Sequence, residues 1–312
     1  MTGSLINYRT SGVFIISATP FDDTQRIDYS SLDSLLEFYM ENKVTGITIL
    51  GMMGEAQKLT SEETRQLATH VLKKIDGRVP ILVGVSNPDK ETLIELSEFC
   101  MDGGAAGVMV APYGALDSDE KIYSYYADIL STLEAGIPVC YQDFPLGTGA
   151  PVSVACLERL FSEFTNLVML KHEDWPGLAK ISELRSGHDQ GLSPEMSILV
   201  GNGGLYLPQE LARGANGAMT GFAYPEMLVD VVETFSRGDR ERAEDIFDAY
   251  LPLIRYEQQP NFGLAVRKEL LRRRGVIKSA KVRDPGPQLS AIDHKELSHL
   301  VRRVEINIRG LN

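Results

Sequence analysis

Leu167-Val168-Met169-Leu170-Lys171-His172-Glu173-Asp174 is the stretch whose reading decides the fold. Four apolar residues, among them β-branched Val168, run straight into a lysine. Imidazole and carboxylate side chains follow at once. An apolar run this short, with a β-branched residue in it, reads as a buried parallel strand with Lys171 at its C-terminal end. In parallel α/β proteins ligands bind at that end. A lysine there is either a surface residue capping the next loop or a desolvated amine. Desolvation favours the free amine over the ammonium, and a free amine attacks a ketone to form an imine. Strand parity puts Lys171 and Glu173 on one side and His172 on the other.

Seven more runs of this kind lie along the chain: Val13–Ser17, Gly46–Leu50, Pro80–Gly84, Gly107–Ala111, Pro138–Gln142, Ser197–Gly201 and Gly217–Thr220. Successive starts are roughly 20 to 34 residues apart, about the length of a strand–helix unit. Helical patterns fill the gaps: Ser30–Asn42, Thr60–Ile75 with its capping-box start Thr60-Ser61-Glu62-Glu63, Asp89–Met101, Ser118–Leu133, Val152–Phe164, Gly177–Leu184 and Leu205–Ala212. The alternation predicts a (β/α)8 TIM barrel over residues 1–225. A doubly wound open sheet is the alternative, but no Gly-rich dinucleotide loop follows the first strand. Beyond Gly221 only helices are predicted: Glu226–Ser236, Arg240–Tyr256, Phe262–Arg274 and His294–Ile308. Residues 226–312 therefore read as a C-terminal helical extension packed on the barrel.

The net charge of -12 disfavours nucleic acid or an anionic membrane as a partner. No apolar run is long enough to span a bilayer. Met1–Thr10 lacks the pattern of a signal peptide. Cys100, Cys140 and Cys156 are odd in number and widely spaced, as expected of a cytoplasmic protein without a disulfide framework. The five histidines show no metal-ligand spacing, so no zinc site is expected.

The strand ends carry the candidate chemistry. Gly51-Met52-Met53-Gly54-Glu55 follows strand two. Its paired glycines allow either a backbone N–H cradle for a carboxylate or an ordinary turn. Tyr113, after strand four, presents a phenol for proton transfer or merely roofs the barrel. Gln142-Asp143-Phe144-Pro145 follows strand five, Gly201-Asn202-Gly203-Gly204 strand seven, and Thr220-Gly221-Phe222 strand eight. These ends either admit a ligand close to the backbone or are tight turns.

From Gly12 to about Arg303 the chain resembles the dihydrodipicolinate synthase / N-acetylneuraminate lyase family of Schiff-base aldolases, lyases and dehydratases. Thr19-Pro20-Phe21 is similar to the family's motif after strand one. Gly51-Met52-Met53-Gly54-Glu55 with Leu59-Thr60 is similar to its G-x-x-G-E…L-T signature, and Lys171 falls on its imine-forming lysine. The resemblance implies a (β/α)8 barrel with a C-terminal helical bundle, a homo-oligomer (dimer or tetramer), and a small 2-oxo acid as the partner. It implies no cofactor, because the imine is the electron sink.

The chain departs from the synthases of that family at several positions. Met52 and Met53 replace two threonines, Gln142 a tyrosine, Gly147 an arginine and Gly114 the second tyrosine of P-Y-Y. Tyr141 is one residue off and so faces the other way. Lys171-His172-Glu173, Gln142-Asp143-Phe144-Pro145 and Gly217-Ala218-Met219-Thr220-Gly221 are similar to the dehydratase branch, which acts on 2-keto-3-deoxy sugar acids or related hydroxy-2-oxo acids. The expected catalytic set is Lys171, Glu173, Gln142 and Tyr113. The expected substrate-binding set is Thr19, Gly51, Met52, Met53, Gly54, Asn202 and Thr220. The rival readings are 4-hydroxy-tetrahydrodipicolinate synthase and an idle barrel that binds a 2-oxo acid without turnover.

Overall fold

The computed structural model describes residues 4–133 and 136–311. Eight parallel strands close into a barrel in chain order: β1 Gly12–Ile16, β2 Gly46–Ile49, β3 Ile81–Gly84, β4 Gly107–Val110, β5 Val139–Asp143, β6 Leu167–His172, β7 Ser197–Val200 and β8 Gly217–Thr220. This is the predicted (β/α)8 architecture. Around it lie α1 Tyr29–Glu41, α2 Ser61–Ile75, α3 Lys90–Asp102, α4 Asp119–Thr132, α5 Pro145–Thr148, α6 Val154–Glu163, α7 Leu178–Asp189 and α8 Leu207–Ala212. Four helices follow the barrel: α9 Pro225–Ser236, α10 Arg240–Glu257, α11 Gly263–Arg273 and α12 Ala291–Arg309.

Local chemistry sets the helix ends. Both halves of the capping box at Thr60 and Glu63 form, with the Glu63 N–H donating to Thr60 Oγ1 at 3.1 Å and the Thr60 N–H to Glu63 Oε2 at 2.9 Å. A second box, Ser290 with Asp293, starts α12 three residues before the expected His294. The apolar period alone does not reveal that turn. Helix α7 runs past the expected Leu184 to Asp189. The short α5 was not expected; Pro145 opens it.

The strands alternate between two cores. Phe14, Ile16, Leu82, Met109, Cys140, Met169, Leu199 and Met219 fill the barrel interior, while the larger cluster lies between strands and helices. One irregularity falls inside β6. Val139 pairs with Leu167 but Cys140 with Met169, so Val168 is extra. Val168 and Met169 both lie against the interior cluster, and above this bulge Leu170 returns to the outer core.

The seam between β8 and β1 opens on a pair of glycines. Gly12 pairs with Gly217. Gly217 has φ +151°, and a Cβ there would sit 1.9 Å from the Gly12 carbonyl oxygen. No described helix is long and apolar enough to cross a membrane. Gly217→Ala is expected to force the seam apart and destabilise the fold by about 3 kcal/mol, the scale of backbone strain plus overpacking. A lowered denaturation midpoint with an unchanged slope would show it.

Candidate active site

Register places the first three groups. Gln142 of β5 lies beside Lys171 of β6, and both project inward at the C-terminal end of the barrel. All of Lys171, Glu173 and Gln142 are buried. Glu173 Oε2 lies 3.0 Å from Lys171 Nζ and accepts a 2.8 Å hydrogen bond from Gln142 Nε2. One carboxylate oxygen therefore meets both nitrogens. The Glu173 N–H donates to the Asp143 carbonyl at 2.8 Å, and Asn202 Nδ2 donates to the Glu173 carbonyl at 3.1 Å. Gly201 makes room for this carboxylate: a Cβ there would fall 2.3 Å from Glu173 Cγ.

The outward face of the same strands holds a separate polar cluster. His172 Nδ1 lies 3.3 Å from Asp143 Oδ2 and its Nε2 3.0 Å from the Gly177 carbonyl. Lys180 Nζ donates to Asp143 Oδ2 at 2.9 Å and lies 2.7 Å from Asp174 Oδ2. Burial pulls the Lys180 ammonium down, but Asp143 and Asp174 outweigh it and the net shift is upward. Tyr141 also faces outward, stacked on Tyr126 with ring centroids 4.3 Å apart. The parity argument against Tyr141 as a site residue thus matches its position.

A cleft of about 580 Å³ opens beside Gln142, the member of the trio that lines it. Gly51, Met52, Tyr113 and Gln142 all line it. Tyr113 is half-buried and meets Tyr125 edge-on. Residues Met52–Gly54 form a single 3₁₀ turn, closed by the Gly54 N–H to the Gly51 carbonyl at 2.9 Å and the Glu55 N–H to the Met52 carbonyl at 3.0 Å. The N–H groups of Met52 and Met53 lie at the open end of that turn. Met53 packs on the interior cluster rather than lining the cleft. Thr19 Oγ1 donates to the Gly54 carbonyl at 2.6 Å. Thr220 Oγ1 accepts from the Gly203 N–H at 2.7 Å.

A family model described as the dihydrodipicolinate synthetase family matches residues 9–304. The chain belongs to the dihydrodipicolinate synthetase family. It is accordingly a class I lyase. L-2-keto-3-deoxyarabonate dehydratase of Azospirillum brasilense is 31% identical over 303 residues, 95% of each chain. A 4-hydroxy-tetrahydrodipicolinate synthase of Methanococcus maripaludis is 28% identical over 247 residues, 78% of this chain and 82% of that one. The crystal structure of a dihydrodipicolinate synthase from Rhodopseudomonas palustris superposes with a TM-score of 0.94 at 42% identity. That match covers 96% of this chain and 100% of the other.

The family's motifs turn out to be one assembly. Glu55 of the G-x-x-G-E signature is buried and accepts from Lys268, Lys58 and the Arg283 N–H. Phe21 of the T-P-F motif is covered by Lys268 and Arg283, which lie 4.6 and 4.3 Å from its ring centroid. The sequence singled out neither cation, because each lies more than 200 residues from the signature it meets.

Glu210 was also missed. It is buried on α8 with Leu207 and Leu211, and its Oε2 has no hydrogen-bond partner among the described residues. Its signal was a carboxylate on an apolar helix face. Burial, reinforced by the negative charge of Glu173, pushes this carboxyl from 4.5 up to about 8. Between those values the folded state holds a proton that the unfolded chain releases. This contribution to stability is full below about pH 4.5 and is lost as pH rises through 8. Glu210→Gln is therefore expected to raise the melting temperature at pH 8.5 by roughly 3 °C or more, with a smaller gain at pH 5. Thermal melts of both proteins across pH 5–9 check this.

Proposed function

We propose that this lyase is a Schiff-base dehydratase of 2-keto-3-deoxy sugar acids or related hydroxy-2-oxo acids. The observation that carries the reading is Glu173 Oε2, which meets both Lys171 Nζ and Gln142 Nε2. Lys171 condenses with the 2-oxo group and releases water. The iminium acidifies the C3 proton, and Glu173 removes it. The C4 hydroxyl then leaves as water, taking that proton back from Glu173. A second water hydrolyses the imine and frees Lys171. Gln142 is no base; it orients the Glu173 carboxylate. The open N–H groups of the Gly51–Glu55 turn bind the substrate carboxylate, and Tyr113 contacts the distal part of the substrate from the cleft wall.

The position of Gly147 opposes the synthase reading. A Cβ there would lie 2.1 Å from the Phe144 ring, so an arginine clamp has no room without displacing Phe144. The 31% identity to a keto-deoxy sugar acid dehydratase over the whole length also supports the proposal. The assembly proposed is a homo-oligomer, a dimer or tetramer. Leu146, at 71% exposure, and the paired rings of Trp175 and Tyr206 are apolar surface it would cover.

Borohydride trapping with a 2-keto-3-deoxy sugar acid, read by peptide mass, tests the chemistry. The expected product is an adduct on Lys171 lighter by one water than that of the intact substrate. A three-carbon pyruvyl adduct would instead mean carbon–carbon cleavage, and no adduct on Lys171 would sink the mechanism. Glu173→Gln is expected to keep the adduct at intact-substrate mass while lowering kcat by about 10² to 10⁴, the usual contribution of a general base. Dehydration at the wild-type rate in that variant would remove Glu173 from its role.

A further inference from the structure

We propose that Lys268, on the C-terminal helix α11, is a positioning residue for the active site. It acts through Glu55 to hold the Gly51–Glu55 turn in its carboxylate-binding form. The inference rests on the reading of that turn as the carboxylate cradle.

Glu55 closes the turn in the left-handed region, at φ 57° and ψ 32°. A non-glycine residue there is strained, and persists only where its surroundings fix it. What fixes it is the side chain. The carboxylate is 1% exposed. Its Oε1 accepts from Lys268 Nζ, and its Oε2 from Lys58 Nζ at 2.9 Å and from the Arg283 N–H at 3.0 Å. Lys268 is itself fully buried, and its ammonium also donates to the Lys281 carbonyl at 2.9 Å. Phe21 carries it from below, with Lys268 Nζ 4.6 Å from the ring centroid. On its other side the turn is tied to the chain after β1, through Thr19 Oγ1 and the Gly54 carbonyl. The turn is therefore gripped at two adjacent residues by two parts of the chain more than 200 residues apart.

A buried ion pair is weak evidence of stabilisation, because desolvation offsets the attraction. Its directional value is greater. Without Lys268, Glu55 loses the sole partner of Oε1 among the described residues, and the strained turn can relax. The Met52 and Met53 N–H groups then move relative to Lys171, which sits on a different strand. Misplacement of a positioning group by an ångström lowers binding or rate steeply. The loss should fall on recognition of the substrate carboxylate, not on the imine chemistry.

The test is borohydride trapping of pyruvate on Lys171, titrated against pyruvate concentration, with Lys268→Met and Lys58→Met. Lys58 is a quarter exposed, so its removal leaves no buried orphan and keeps the test decisive if Lys268→Met fails to fold. The half-saturating pyruvate concentration is expected to rise about ten-fold in Lys268→Met and about three-fold in Lys58→Met, with the trapping rate at saturation within two-fold of wild type. Folded variants that match wild type in half-saturation would overturn the proposal. So would a fall in the saturating rate at unchanged half-saturation, since that places the effect in the chemistry. If the wild-type chain traps no pyruvate on Lys171, the imine reading itself fails.

Discussion

A lysine and a glutamate buried together at the top of a closed barrel constrain everything around them. Either charge alone, out of water, is strongly unfavourable. Lys171 and Glu173 are buried within 3.0 Å of each other, and Gln142 supplies a further donor to the shared carboxylate oxygen. Such an arrangement needs register more than it needs propensity. Parallel pairing sets Gln142 beside Lys171, and Glu173 follows two residues on. A one-residue slip of β6 would turn His172 inward and both charges outward. The outward cluster opposes that slip. Asp143 and His172 meet each other there, Lys180 meets Asp143, and the Gly177 carbonyl meets His172. The inner and outer faces of β5 and β6 therefore enforce one register from both sides.

The bulge at Val168 belongs to the same constraint. Leu167 faces the outer core, so strict alternation along Leu167–Leu170 would turn Lys171 outward as well. Pairing with β5, however, skips Val168, so Val168 and Met169 both lean inward. The extra residue lets Lys171 pair with Gln142 while Leu167 still pairs with Val139. Bulges recur beside sites where a side chain must be re-aimed.

How much of this was legible follows from how local each feature is. The strands were readable because their apolar runs are short and recur at about the length of a strand–helix unit. The facing of Lys171 and Glu173 was readable because parity is a two-residue rule, and Gln142 was placed by the resemblance, at the position of the family's tyrosine. Helix α12 began early because a capping box, not an apolar period, starts it. The partners of Glu55 were beyond reach. Nothing near Lys268 or Arg283 states that a carboxylate from the second strand's loop will meet them. Glu210 was hidden differently: a lone acidic residue among leucines on a short helix reads as surface until the helix is seen to be buried.

The substitutions within the motifs follow from the same packing. Where the resemblance leads one to expect threonines, Met52 lines the cleft and Met53 rests on the sulfur-rich interior of Met109, Cys140, Met169 and Met219. Methionine fills such irregular space well, but it donates no proton. A turn with no hydroxyl of its own can offer an anion only backbone N–H groups, and those recognise only as well as the turn is held. Side-chain chemistry in the loop has given way to backbone geometry. The rigidity that geometry requires comes from Thr19 on one side and from Glu55 with its buried cation on the other. In the proposed reaction proton transfer falls to Glu173, where register rather than loop conformation sets the distance to the lysine.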